Sequence, residues 1–523
     1  MTYRSIRHAS AMATIAWSLA SAPVHAASLQ PSLEVVTQSG PVAGALAPGG
    51  ETISFKGIPF AAPPVGPLRW REPQPVEPWQ AVRPATAFAH DCEQVPHKGV
   101  DPARFNEDCL YLNVWKPAKA AKPLPVMVWI YGGSFTEGGT ALPVFDGGKL
   151  AQRGVVLVTV NYRVGSFGYL AHPALDASSP EHTSGNYGVL DVIEALRWVR
   201  ANISAFGGDP RNVTVFGESA GAITVDDLMA TPRAAPLFDK GIIQSGGIWG
   251  LTPPMRDRAA AEAFGTAFAA ARGAHTADEL RALPASAILD LSAAEKTQIL
   301  LPFQPIADGV VIPHTTAYAF LHGQEARKPL ILGWTHNESS AFLPLERSLA
   351  DRETYFRKTF TDRADALSKL YPATTDLEAR RSIVGAGTGA IAEGMLTQAE
   401  KHAAVAPTYV YRFDQVIPVE HSEILGAPHG SDVIYTFGTL DTAPLPWRAE
   451  DRQASDAVMT YWSNFARTGT PNGAGATNWP GFTPQNLQVM RLKAQPLAAP
   501  LDEVDLLRRS RKTVDQDLAA GTR

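Results

Sequence analysis

Gly217-Glu218-Ser219-Ala220-Gly221 sits where the chain must turn from a strand into a helix within a single residue. Before it, Val213-Thr214-Val215-Phe216 reads as a buried strand; after it, Ala220 to Met229 reads as an apolar helix. The flanking glycines permit a sharp turn without a Cβ clash, so the serine hydroxyl is held clear of the sheet. The helix start then directs backbone N–H groups at any negative charge that forms beside it. Three fixed positions recur by chance in many chains, so the context has to carry the reading.

That context is a series of strands alternating with helices. Leu33 to Thr37, Ile53 to Gly57 and Leu110 to Trp115 read as early strands. They are followed by the apolar runs Val126 to Ile130, Val155 to Val160 and Val213 to Phe216. Gly241 to Gln244, Pro329 to Leu332 and Thr408 to Phe413 complete the set, with helical patterns such as Gly188 to Phe206 between them. Near-continuous Val/Ile runs separated by helices imply an α/β fold with a large, mostly parallel central sheet and helices on both faces. Active sites in such sheets lie at the carboxyl ends of the strands.

No linker, charge block or repeat divides the 523 residues, so residues 27–523 read as one expanded domain, with surface helices in stretches such as Ala259 to Ala271. Residues 1–26 read as a secretory signal peptide: Arg4 and Arg7 are basic, Ala9 to Ala22 is apolar, and Val24-His25-Ala26 offers a cleavage site. The alternative is an uncleaved anchor. The expected location is secreted or periplasmic, in a bacterium. Removing that segment takes Arg4 and Arg7 with it and changes the formal net charge from −5 to −7. A mildly acidic chain without a basic run has no footprint for nucleic acid, and no later stretch is apolar enough to span a bilayer. Cys92 and Cys109 are the only two cysteines, which in an exported chain favours one disulfide over two buried thiols. No second Cys/His pair has metal-ligand spacing, so neither metal nor cofactor is expected.

The loops after the strands supply the remaining chemistry. Tyr131-Gly132-Gly133-Ser134-Phe135 follows the strand Val126 to Ile130 and suits a loop whose amides stabilise an oxyanion. A nucleophilic serine in this fold is followed in the chain by an acid and then a histidine. Glu338, just beyond Pro329 to Leu332, is the leading acid; Asp308 competes, but its surroundings read as a turn. Of the histidines after Glu338, His402 and His421 read as surface residues, whereas His429 sits in the glycine-flanked loop Gly426-Ala427-Pro428-His429-Gly430.

From about Val35 to the C-terminus the chain resembles the type-B carboxylesterases, a group that includes cholinesterases, bacterial para-nitrobenzyl esterases and the non-catalytic neuroligins. The resemblance rests on Phe55-Lys56-Gly57-Ile58-Pro59-Phe60-Ala61, Glu107-Asp108-Cys109-Leu110, Asn161-Tyr162-Arg163-Val164-Gly165, Gly207-Gly208-Asp209-Pro210 and Gln244-Ser245-Gly246, besides the elbow itself. It implies an α/β-hydrolase fold in which Ser219 is nucleophile, Glu338 the triad acid and His429 the base, with Gly133, Ser134 and Ala220 as oxyanion donors. It further implies a Cys92–Cys109 disulfide, an Arg69–Glu107 ion pair, and Glu218 and Ser245 in support of the histidine.

Three departures bear on specificity. Ser134 stands where many relatives have glycine. Asp226 and Asp227 follow the elbow where relatives often carry small or apolar residues; a solvated helix face is the expectation, with a local packing or pKa effect the alternative. The loop between the cysteines has no tryptophan, which argues against choline esters. The expected partner is a small-molecule ester; lipase, amidase or lactonase activity shares the triad, and a neuroligin-like scaffold is the rival from another class. Trp249, Phe342 and Tyr435 are candidates for an apolar pocket or for plain core packing. Oligomeric state is not legible.

Overall fold

The computed structural model describes residues 33–96, 100–249, 254–292, 295, 301–343 and 347–500. The proposed signal peptide at 1–26 lies outside them. Eleven strands form the main sheet, numbered along the chain: β1 Ala45–Leu46, β2 Thr52–Pro59, β3 Tyr111–Pro117, β4 Leu124–Ile130, β5 Val156–Val160 and β6 Gly208–Glu218. The rest are β7 Lys240–Gln244, β8 Leu330–Thr335, β9 Thr408–Phe413, β10 Gln488–Leu492 and β11 Leu497–Pro500. Their spatial order is β11-β10-β9-β8-β7-β6-β4-β5-β3-β2-β1. The run from β10 to β5 is parallel throughout, while β11, β3, β2 and β1 pair antiparallel at the edges.

Every residue of β5, β7 and β8 is buried. Side chains alternate between faces along a strand, so complete burial requires cover on both sides. Six helices longer than ten residues are described: α1 Tyr187–Asn202, α2 Ala220–Ala230, α3 Arg258–Ala270, α4 Leu349–Phe360, α5 Asp376–His402 and α6 Ala449–Thr468. The helical pattern at Gly188 to Phe206 becomes α1 closed by a 3-10 turn at Ile203–Phe206. The first expected strand, Leu33 to Thr37, forms as Glu34–Val36 and belongs to a separate three-stranded sheet with Pro41–Ala43 and Arg83–Pro84. Phe356, Ala364, Leu367, Ile383 and Ala386 make a small separate core between α4 and α5.

Register decides where the functional loops emerge. Val160, Ile130, Gly217, Ile243, Leu332 and Val410 lie in one row across β5, β4, β6, β7, β8 and β9. The loops that follow these strands therefore leave the sheet at one common edge. Between β4 and β6 the chain reverses the direction in which it adds strands, β5 lying to one side and β7 and β8 to the other. That is the switch point at which such sheets open a crevice.

Two expectations about exposure are corrected here. Asp226 and Asp227 do not lie on a solvated face: α2 is buried along its entire length and both carboxylates are 0% exposed. Gln398 of α5 donates to Asp226, and the Thr316 hydroxyl donates to Asp227 at 2.6 Å. His402 is no surface residue either. As the last residue of α5 it is fully buried, with Nε2 2.8 Å from the Lys328 carbonyl and Nδ1 3.1 Å from Glu325. His421 is exposed, as expected.

Candidate active site

Ser219 joins β6 to α2 in a left-handed conformation, φ 54° and ψ −124°. A non-glycine residue there stores strain that its surroundings must hold. Its N–H donates to the Gln244 carbonyl at 3.0 Å, and its carbonyl accepts from Ile223 N at 2.9 Å. Its side chain does not cap α2, so the hydroxyl is uncommitted to the helix. Both flanking glycines are required by contact. A Cβ on Gly217 would stand 2.5 Å from the Gly221 carbonyl carbon and 2.8 Å from Ile130 O, and one on Gly221 would collide with the Ile130 carbonyl.

The glycine loop after β4 presses against this turn. A Cβ on Gly132 would lie 2.7 Å from Glu218 O and 2.9 Å from Ser219 Cβ. Gly133 (φ 112°), Ser134 (φ 55°) and Phe135 (φ 60°) are successive positive-φ residues. The Ser134 side chain makes that conformation cost about 1 kcal/mol that glycine would not incur. The turn is fixed by Thr136 N and Glu137 N donating to Gly133 O, and by buried Phe135 packing edge-on to Tyr169. The amides of Gly133, Ser134 and Ala220 have no protein acceptor among the described residues. They are free to receive an anionic oxygen.

Glu338 opens the turn after β8. It is fully buried; Oε1 accepts the Thr335 N–H at 2.7 Å and Oε2 lies 2.5 Å from His429 Nδ1. On the other side of the ring, His429 Nε2 has Glu218 Oε1 at 3.1 Å, in ion-pair range but without hydrogen-bond alignment, and Nε2 has no other partner. A Cβ on Gly430 would stand 3.2 Å from the same Glu218 oxygen. The imidazole thus lies between Glu338 and the residue preceding Ser219. Burial by itself lowers the His429 pKa, but the facing carboxylates Glu218 and Glu338 outweigh it and raise it to about 9. Burial pushes Glu218 up to about 7, with Asp432 and Glu338 adding to the rise and His429 opposing it.

The other singled-out residues sort by position. Ser245 follows β7 fully buried at φ 50°, its N–H on Gly333 O at 2.8 Å and its hydroxyl unpartnered. Asp308 is the turn residue it was read as: Oδ1 accepts from Val310, Val311 and Ile312 N. Tyr435 is core, its hydroxyl on Asp451 at 3.0 Å. Phe342 is 58% exposed with its ring 5.0 Å from that of His429, and Trp249 is half-buried over Gly394. Cys92 and Cys109 form a disulfide, and Arg69 grips Glu107 through Nε at 2.6 Å and Nη2 at 2.5 Å. Among the described residues no group of three His, Cys, Asp or Glu side chains is arranged to hold a metal ion. Sequence reasoning passed over Asp432 and the Gln244 side chain, which meet at 3.0 Å across 188 residues.

The sequence profile of the carboxylesterase family matches residues 31–506. Fumonisin B1 esterase of Sphingopyxis macrogoltabida is 37% identical over 488 residues, covering 90% of this chain and 88% of that one. Para-nitrobenzyl esterase of Bacillus subtilis is 36% identical over 489 residues, covering 88% and 95% respectively. A solved PNB esterase superposes with a TM-score of 0.78 at 34% identity, covering 91% of this chain and 99% of its own. With a match spanning nearly all of the described chain and an α/β-hydrolase sheet beneath it, the protein belongs to the carboxylesterase family and is a carboxylic ester hydrolase.

Proposed function

We propose that the protein is an exported serine esterase working through Ser219, His429 and Glu338 and a covalent acyl-enzyme, with residues 27–523 as its catalytic domain. The observation that carries the reading is the His429 ring. Glu338 holds Nδ1 at 2.5 Å while Nε2 is left without a hydrogen-bond partner beside the Glu218–Ser219 turn. That is the arrangement a general base needs.

In this mechanism Nε2 takes the Ser219 proton as Oγ attacks the ester carbonyl. The carbonyl oxygen becomes an anion received by the amides of Gly133, Ser134 and Ala220. Glu338 keeps Nδ1 protonated and stabilises the imidazolium. His429 then returns the proton to the departing alcohol, and water repeats the cycle to release the acid. Each oxyanion donor contributes on the order of 10²–10³ in rate. No step calls for a metal or an organic cofactor.

Para-nitrobenzyl and para-nitrophenyl esters are suitable first probes, since a relative of similar length is named for the former. Ser219→Ala should abolish the burst of alcohol release and all labelling by a fluorophosphonate, with the fold retained. A burst of undiminished size in that variant would refute the assignment. Export is supported by the sequence pattern of residues 1–26 and by the disulfide, which suits an oxidising compartment.

A further inference from the structure

We propose that Gln244 and Asp432 are positioning residues for this reaction: through them the turn carrying Ser219 and the loop carrying His429 are clamped to each other. The proposal rests on the Ser219–His429–Glu338 reading and adds to it a part that holds those groups in register.

Gln244 is the last residue of β7 and is fully buried. Its backbone holds the nucleophile turn, because its carbonyl accepts the Ser219 N–H at 3.0 Å. Its side chain reaches the other way. Nε2 donates to Asp432 Oδ2 at 3.0 Å and to Thr436 Oγ1 at 3.2 Å, and Oε1 accepts the Trp462 indole N–H at 3.1 Å. One residue therefore grips the strained serine with its main chain and the histidine segment with its amide. The only freedom between these two tasks is in the side-chain torsions, which three hydrogen bonds restrain.

Asp432 is the receiving end. It lies three residues beyond His429, is 1% exposed, and accepts a second hydrogen bond on Oδ2 from the Tyr411 hydroxyl at 2.8 Å. Its backbone carbonyl accepts the Thr436 hydroxyl at 3.0 Å, closing a ring with Gln244. Tyr411 reaches this point from β9 only because Gly333 of β8 has no side chain: a Cβ there would run into the Tyr411 ring.

The choice of an acid at 432 is not explained by these bonds alone. An asparagine would offer the same accepting oxygen to Gln244 and Tyr411. Instead Oδ1 of Asp432 is buried with no partner, a costly arrangement that positioning does not require. What it gains is charge: three residues from His429, its carboxylate favours the imidazolium and opposes the ionisation of Glu218. Tyr411, on β9, is a further titratable group in contact with it. The clamp is thus mechanical through Oδ2 and electrostatic through the carboxylate as a whole.

Four single variants and one double variant separate these roles, using the full-length enzyme with a para-nitrophenyl ester. Gln244→Leu and Asp432→Ala should each lower kcat about 100-fold with KM held within about 3-fold, since a displacement of about 1 Å of a reacting group costs that much. Their combination should be no worse than the weaker single variant, because both cut the same link. Tyr411→Phe, which keeps the ring packing and is safe for folding, should lower kcat several-fold. Asp432→Asn should recover most of kcat and move the acid limb of kcat/KM to lower pH, because a negative charge that favours the imidazolium is gone. A purely structural role would leave that limb in place. Folded variants with unchanged kcat, or effects that multiply fully in the double variant, would overturn the clamp. Ser219→Ala distinguishes the two levels: retained burst kinetics there refute the nucleophile itself, whereas its loss together with an active Gln244→Leu refutes only the clamp.

Discussion

Glu218→Gln is the substitution whose effect the geometry fixes most tightly. Glu218 Oε1 stands 3.1 Å from His429 Nε2, on the side of the ring where the proposed mechanism brings the serine proton. Opposite unit charges at that separation attract by about 5 kcal/mol at an effective dielectric of 20, an upper bound for the pair. The net effect is smaller because burial opposes it: the His429 pKa is raised from 6.5 to about 9, a net gain of roughly 3 kcal/mol for the imidazolium. The charge of Glu218 is the largest single contribution to this rise; Glu338 adds to it through both its charge and its hydrogen bond, and Asp432 through its charge. Glutamine keeps the shape and removes the charge, so the His429 pKa should fall by about one to two units. The sign follows directly. A carboxylate stabilises the protonated ring, so its loss lets the neutral base form at lower pH.

The assay is kcat/KM for a para-nitrophenyl ester from pH 5 to 10 at constant ionic strength. Wild-type activity should climb until about pH 9, and the Glu218→Gln limb should lie one to two units lower. At pH 7 to 8 the variant should therefore retain a larger fraction of its own maximum. A limb that stays in place or moves to higher pH would refute the argument, since it would mean that His429 does not feel the charge beside it.

Two further outcomes are expected. Asp227 is fully buried, and desolvation lifts it to about 7 from 3.8, while its hydrogen bond from Thr316 opposes the rise. A folded pKa above the unfolded one means that stability is lost as pH rises from about 4 to about 7. Asp227→Asn should be near neutral at pH 4 and more stable by up to about 4 kcal/mol at pH 8, read from denaturant midpoints; an equal difference at both pH values would refute it. If export and the disulfide belong together, the recovered protein should begin at Ala27 by intact mass. Cys92→Ala, which opens a 17-residue separation, should then cost about 3 kcal/mol; an intact leader or an unchanged midpoint would count against the pairing.

What could be read in advance was what local pattern controls. The β6–α2 junction was legible because Val213 to Phe216, the two glycines and the apolar α2 segment all act within a few residues. Glu338 and His429 could be singled out because chain order after Ser219 and glycine-flanked loops narrow the choice; the aligned strand ends bring those loops to one edge, where the two side chains meet at 2.5 Å. Asp226, Asp227 and His402 were misread for a complementary reason. Acidic and imidazole side chains default to solvent, and the groups that bury them, Gln398 and Glu325, come from 172 and 77 residues away. The Gln244–Asp432 contact has no local signature at all. The short strands β10 and β11, at five and four residues, carry too little period to stand out from their loops.

Several broken local rules fall where the chemistry is proposed. Ser134, Phe135, Ser219 and Ser245 hold positive φ on the loops that leave β4, β6 and β7. The unpartnered buried atoms of Glu218, Ser245, His429 and Asp432 gather at the same edge. Strain and unmet hydrogen bonds that persist together need a surrounding structure that over-determines them, and the sheet register supplies it. Asp226 and Asp227 break the same rule on α2, yet their partners are Gln398 and Thr316 and not the histidine. The two kinds of buried acid should therefore respond oppositely to removal of charge. At Glu218 the loss should move the pH profile of catalysis, whereas at Asp227 it should move stability and leave that profile where it was. Burial alone cannot tell such acids apart; the group each carboxylate faces can.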